Sequence, residues 1–429
     1  MTTTASRRQF LQRAAALSAT GVAAPWALNL AAIGEAAAAN ATGYKALVCV
    51  FLYGGNDYAN TVVTYDAASH ALYQAQRPAV ALARASLAGT VLSPSTALAG
   101  ARQYALAPQL AGLVPIFDAG QMAVMLNVGT LVQPTTKAQY SAKSVALPPK
   151  LFSHNDQQSV WQSSAPEGST SGWGGRMGDL FAAANGNATF TCVSAAGNAV
   201  FLSGQSAVQY QVSANGSVPL AALQSPLFGS SACSDALRAM VSASRSHLLE
   251  AEHTRIMKRS IDANVQLTAA LAGNAPLTTV FPSGNSLAGQ LAMVARMIAA
   301  RGTLGAKRQV FFVSLGGFDN HDGLADDHPA LLALLGPALA AFQAATVALG
   351  VADLVTTFTA SDFGRTLTSD GDGSDHGWGS MHLVLGGAVR GRAFYGTPPA
   401  VANNGPDDVG QGRLLPTLSV DQFGATLGR

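Results

Sequence analysis

Gln309-Val310-Phe311-Phe312-Val313-Ser314-Leu315 runs directly into Gly316-Gly317-Phe318-Asp319-Asn320-His321-Asp322. A short apolar run rich in β-branched and aromatic residues, stopped by paired glycines, predicts a buried strand feeding a polar loop. The next segments alternate: a helical pattern over Pro329 to Leu349, a strand over Leu354 to Thr359, a Gly/Asp-rich loop, then a strand over His382 to Leu385. Strand and helix in alternation predict an α/β fold, a mostly parallel sheet with helices on both faces.

Working outward, Lys45 to Tyr53 (KALVCVFLY) repeats the buried-strand pattern and ends in Gly54-Gly55-Asn56-Asp57. Met122 to Val128 repeats it again before Gly129-Thr130, and Phe190 to Val193 is a shorter candidate. Leu237, Val241, Leu248, Leu249, Ile256 and Val265 recur at three-and-four spacing across Asp235 to Leu271, predicting one long amphipathic helix or two in sequence. Leu287 to Ala300 continues helical. Gly/Ser/Pro-rich stretches from Ser163 to Gly175 and Ser203 to Ser234 predict surface loops. No internal repeat or domain boundary interrupts residues 40–429, which predicts a single domain.

In a sheet of this kind ligands collect at the carboxyl ends of the strands. Asp57 follows the first strand, Asp319 and His321 follow the second, and Asp362 and Arg365 follow the third. Asp370, Asp372, Asp375 and His376 fill the next loop. Asp and His together suit hard or borderline divalent cations, and two such ions a few ångström apart can clamp an in-line displacement at phosphorus or sulfur. The plainer reading is that Asp-Gly and Asp-Asn pairs form turns and that Asp362 caps a helix. Ser153-His154-Asn155-Asp156 precedes a helical pattern. Ser153 is therefore an N-cap with Asp156 as its box partner, or an N-cap that also serves as nucleophile or anion contact. Arg365 offers a fork for an oxyanion or phosphate, or a partner for a neighbouring aspartate.

The composition bounds the rest. With 48% hydrophobic and 11% charged residues the chain is globular, and a net charge of +2 leaves no footprint for nucleic acid. At the amino end, Ser6-Arg7-Arg8-Gln9-Phe10-Leu11 and the apolar stretch from Ala14 to Ile33 have the layout of a twin-arginine export signal, with cleavage expected near Asn40 after the run Ala36 to Ala39. Many alanines and Pro25 make it a weak membrane spanner, so no stable anchor is expected. The expectation is a periplasmic or secreted protein whose export partner is the twin-arginine translocase, a route for folded cargo. Cys192 and Cys233 lie in comparable Gly/Ser-rich surroundings and either pair or stay free, while Cys49 reads as a buried thiol.

The ordered phrases FLYGGNDYANTVV, LFSHNDQQSVWQ, GWGGRMGD, SLGGFDNH, TASDFGRT, DHGWGSMHLVLGGAVRGRAFYG and LPTLSVDQFGATL resemble the domain-of-unknown-function family 1501, from about Lys45 to the end. The resemblance implies an alkaline phosphatase-like core, shared with phosphatases and sulfatases. It implies metal ligation by Asp57, Asp319, His321, Asp362 and His376, with Ser153 as nucleophile and Arg365 stabilising charge. The resemblance implies no settled substrate; a divalent ion (zinc, calcium or magnesium) and a small-molecule or polysaccharide ester are the cofactor and substrate expected here. The chain departs from the superfamily at Asp319-Asn320-His321, where Asp-x-x-x-His is usual, and at Asp362-Phe363, where an Asp-His doublet is usual. A Glu is also general in the family where this chain has Asp362. No Cys/Ser-x-Pro-x-Arg sequence is present, which excludes the formylglycine route. Relatives continue past SVDQFGATL with a further helical stretch, so a truncated carboxyl end is expected here. Two functions are compatible with these residues: an exported hydrolase of phosphate or sulfate esters, or a non-catalytic relative that binds a polysaccharide or a partner protein.

Overall fold

The computed structural model describes residues 43–223 and 226–428; the export signal and its expected cleavage position lie outside the described residues. In chain order the strands of the main sheet are β1 (Lys45–Leu52), β2 (Met122–Gly129), β3 (Cys192–Ser194), β4 (Tyr210–Ser213), β5 (Gly216–Ser217), β6 (Arg308–Leu315), β7 (Val355–Ser361), β8 (Ser380–Leu385), β9 (Ala393–Tyr395) and β10 (Leu418–Ser419). The principal helices are α1 (Ala67–Gln76), α2 (His154–Ser163), α3 (Trp173–Phe181), α4 (Ser231–Ser242), α5 (Leu248–Ala272), α6 (Ser286–Ala299) and α7 (Leu324–Ala348).

Alternate side chains of β1 enter two different cores: Val48, Val50 and Leu52 one, Leu47, Cys49 and Phe51 the other. A strand covered on both faces has no polar side, which explains its unbroken apolar run. Leu291, Val294 and Ile298 of α6 and Leu335, Leu339 and Phe342 of α7 build the first core. Trp161 of α2, Trp173 of α3, Phe201 and Phe423 build the second. Helices thus cover both faces, as the alternation predicts.

The sheet order is β9-β2-β8-β7-β1-β6-β3-β4-β5, with β10 also pairing β2. β7, β1, β6, β3 and β4 are mutually parallel, so their carboxyl ends share one edge. β8 runs antiparallel to both β7 and β2. It departs from the parallel rule because no crossover helix precedes it. The Gly/Asp-rich stretch, which has a loop's composition, is instead a hairpin, Arg365–Asp370 against Gly373–His376, that turns at Gly371 (φ +62°) and sends the chain back. The stretch Ser203 to Ser234 also carries two short strands, β4 and β5, and the start of α4. The long helical pattern resolves into two helices, α4 and α5. Cys192 is buried in β3 and Cys233 is exposed on α4, and all three cysteines are free.

His328 on α7 is buried with Nε2 3.1 Å from Asn56 Oδ1, and burial pushes its imidazole down to about 4. The folded protein holds this ring neutral while the unfolded chain protonates it near pH 6.5. Stability from this group is full above pH 6.5 and falls as pH drops towards 4, by roughly 3 kcal/mol. In urea titrations across that window, His328→Gln should flatten the dependence, and an unchanged slope would remove His328 as its source.

Candidate metal centre

Because β1, β6 and β7 are parallel neighbours, the loops leaving their carboxyl ends meet. Gly54 leaves β1 with φ +113°, and a Cβ there would lie 2.4 Å from the Asp319 backbone nitrogen. Only glycine lets the β1 and β6 loops touch. A Cβ on Gly373 would lie 1.8 Å from the His321 carbonyl oxygen, so the hairpin is also drawn against the β6 loop.

Asp319 is the hub of what these loops assemble. Its Oδ1 accepts from Arg365 Nη1 at 2.6 Å and lies 3.1 Å from both His376 Nε2 and His321 Nε2, which are 3.0 Å apart. His154 Nε2 lies 3.2 Å from Asp319 Oδ2. The outer nitrogens of two of these rings are anchored. His154 Nδ1 is 2.7 Å from Asp362 Oδ2, and His376 Nδ1 is 2.7 Å from the Phe152 carbonyl oxygen. A carboxylate and a carbonyl only accept, so each Nδ1 carries the hydrogen and each neutral ring turns an Nε2 lone pair inward. His154 Nε2 is buried without a hydrogen-bond partner, so its 3.2 Å approach to Asp319 Oδ2 leaves that nitrogen unsatisfied.

This is the arrangement of metal-ligating histidines, whose outer N–H is held by a carboxylate or backbone carbonyl. His154, Asp319 and His376 place one ligand atom each within 4.8 Å of one another, as do His321, Asp375 and His376. Ligand atoms around one tetrahedral ion lie about 3.3 Å apart, given metal–ligand distances near 2.0–2.1 Å. The 3.1 Å from Asp319 Oδ1 to His376 Nε2 and His321 Nε2 and the 3.0 Å between those nitrogens are close to that spacing, and His154 Nε2 stands 3.2 Å from the second oxygen, Oδ2. The residues present therefore fit a divalent ion.

The electrostatics follow from the packing. The Asp362 hydrogen bond pushes His154 up, while burial pushes His376 down. Burial alone would raise Asp319, but the hydrogen bond and charge of Arg365 outweigh it and hold the carboxyl below its usual range. The Arg365 guanidinium is fully buried and also donates to the carbonyl oxygens of Gly54 and Ser374.

Of the candidate residues that the sequence marks, Asp319, His321, His376 and Arg365 come together. Asp362 stands one shell further out: its Oδ2 receives His154, Gln158 Nε2 at 2.8 Å and the Gly54 N–H at 3.2 Å. Asp57 does not join them. Both its oxygens take the Arg77 guanidinium, and Oδ1 also caps the short helix Tyr58–Thr61. Asp375 pairs with Arg413 at 2.7 Å. Ser153 does sit at the N-cap of α2, but its hydroxyl makes no cap bond and donates to Asp156 Oδ2 at 2.9 Å. Sequence reasoning alone gives His154 no role, although it stands beside Ser153 in the same phrase at a helix N-terminus. Its signal is positional: the first turn of α2 faces the strand ends. Phe152, just before it, adopts φ +72°, a strained value for a non-glycine residue, and so directs its carbonyl at His376.

The chain belongs to the family described as protein of unknown function (DUF1501), which it matches over residues 44–411. No curated protein matches it. Among solved structures it is similar to Ps i-CgsB in complex with k-i-k-neocarrahexaose, at 8% identity over 90% of this chain and 72% of that one, with a TM-score of 0.36. It is also similar to the C-terminal periplasmic domain of EcEptC from Escherichia coli in complex with Zn, at 11% identity over 90% and 81%, with a TM-score of 0.34. A third is a Bacteroides thetaiotaomicron protein of glycosaminoglycan metabolism, at 9% identity over 86% and 71%, with a TM-score of 0.33.

Proposed function

We propose that this DUF1501 protein is an exported, metal-dependent hydrolase of phosphate or sulfate esters, built on an alkaline phosphatase-like core. The observation that carries the reading is the pair of anchored imidazoles, His154 and His376, with inward Nε2 atoms beside the Asp319 carboxylate. In this reading His154, Asp319 and His376 hold the ion and His321 supplies a further nitrogen. A donor set so rich in imidazole suits zinc better than calcium or magnesium. When bound, the ion supplies Lewis acidity towards an ester oxygen and acidifies water.

The chain's own groups supply the rest. Arg365 keeps positive charge at the centre, where an anionic ester would lie, and fixes the Asp319 carboxylate. Ser153 stands at the positive end of α2 with its hydroxyl already on the Asp156 carboxylate, the contact a nucleophile makes with its base. The second reading, a non-catalytic relative binding a polysaccharide or a partner protein, draws support from Asp57, which Arg77 withholds from any second ion.

Elemental analysis of the purified protein should give about one zinc per chain, and aryl phosphates or aryl sulfates should be cleaved. Absence of stoichiometric metal would sink the hydrolase reading. Metal without turnover of either ester class would favour the binding protein. Equal rates for Ser153→Ala and the parent would remove Ser153 as nucleophile. The export reading is checked in the same preparation, since Arg7→Lys with Arg8→Lys should leave the protein in the cytoplasm.

A further inference from the structure

α4 and α5 form a helical hairpin that is barely attached to the rest of the molecule. No residue of α4 is buried, and in α5 the buried residues are Ala263, Leu267 and Ala270, all in its second half. At about 100° per residue, that buried stripe continues back along α5 to Ile256 and Leu249. There it faces solvent: Ile256 is 45% exposed, Leu249 72% and Leu248 80%. Helices of this length are marginal in water unless a face is packed, so two largely unpacked helices need a cover.

We propose that the cover is the same hairpin of a second copy, and that the chain forms a two-fold dimer through antiparallel α5 helices. Two charges on the stripe, Glu252 and Arg259, are complementary across such an axis. Glu252 lies on it with Arg255 and Arg259, and although Glu252 pairs with Arg255, Arg259 forms no ion pair among the described residues. A two-fold axis passing between Arg255 and Ile256 sets Glu252 of each copy opposite Arg259 of the other. The same axis sets Leu248 of one copy opposite Ala263 of the other. At that point a groove of about 340 Å³ opens between α5 and the body; its lining is mostly charged and polar, with Arg255, Lys258, Arg259 and Asp262 beside Asn187 and Ala263. Leu248 and Leu249 of each copy would lie across the mouth of that groove against Ala263 of the other, covering the large apolar side chains α5 leaves most exposed. One self-complementary patch generates a closed pair rather than a chain of copies.

Sedimentation equilibrium of the full chain tests this. The parent should weigh as two chains at micromolar concentration, and Leu248→Asn with Leu249→Asn should weigh as one with its circular dichroism unchanged. Glu252→Arg or Arg259→Glu alone should raise the dimer dissociation constant about tenfold or more, and the two together should restore it. A parent that stays monomeric, or single charge variants that associate like the parent, would overturn the proposal. A parent that is monomeric yet binds lipid vesicles through the two leucines would overturn it in favour of a membrane surface.

Discussion

Arg77→Met is expected to lower the unfolding free energy by about 3–5 kcal/mol, a loss few other single changes in this chain should match. Arg77 and Asp57 are both buried to within 1% of completely, and the guanidinium meets both carboxylate oxygens. Removing the cation strands Asp57 in the interior, where desolvation costs far more than a surface ion pair returns. Arg77 Nη1 also donates to the Thr366 carbonyl oxygen at 3.1 Å, so the change loosens the hairpin that carries Arg365 and His376 as well. Lysine should rescue little, because it cannot span both oxygens. Adding Asp57→Asn to Arg77→Met should recover much of the loss, since the charge left unpaired is then gone. Denaturant titration of the three variants reads all of this. The same series bears on the ligand expected from sequence at Asp57. If Asp57 held an ion, Arg77→Met would raise metal content; the ion pair instead predicts lower stability with no gain in metal.

Asp319→Ala is expected to cut metal affinity by more than about 100-fold, a larger effect than changing the outer group Asp362, for which about 10–100-fold is expected. Among the described residues, Asp319 is the one carboxylate that reaches His154, His321, His376 and Arg365 together. Without it His154 and His376 keep their ring anchors, but the three imidazoles lose the negative charge that offsets Arg365, and a dication would face an unbalanced guanidinium. Asp319→Asn should fall between, keeping an oxygen donor but not the charge. Competition with a coloured chelator gives the affinities directly, without reference to turnover. Parent-like affinity in Asp319→Ala would move the centre to His321, Asp375 and His376.

The fold is legible in the sequence because its evidence is local. Runs such as KALVCVFLY and QVFFVSL leave few alternatives, and the strands from Lys45, Met122 and Gln309 stand within a residue or two of where the periodicity puts them. The reversal of β8 is hidden because a hairpin turning at Gly371-Asp372 has the composition of a loop. The site is half legible. Asp319, His321, His376 and Arg365 are marked by falling after strands. The exclusion of Asp57 depends on Arg77, 20 residues away and unremarkable in sequence. The inclusion of His154 depends on how α2 lies across the sheet. Such facts belong to tertiary packing, and no spacing rule carries them.

The position of β1 sets an order on how this molecule comes into being. Residues 45–52 pair with residues 308–315 on one side and 355–361 on the other. During synthesis β1 emerges early and waits for partners that begin only at Arg308 and Val355. Contacts of such long range fold slowly and leave a sticky intermediate on the ribosome. His376 is later still, so the candidate centre around Asp319 assembles only after β1, β6 and β7 have all been made.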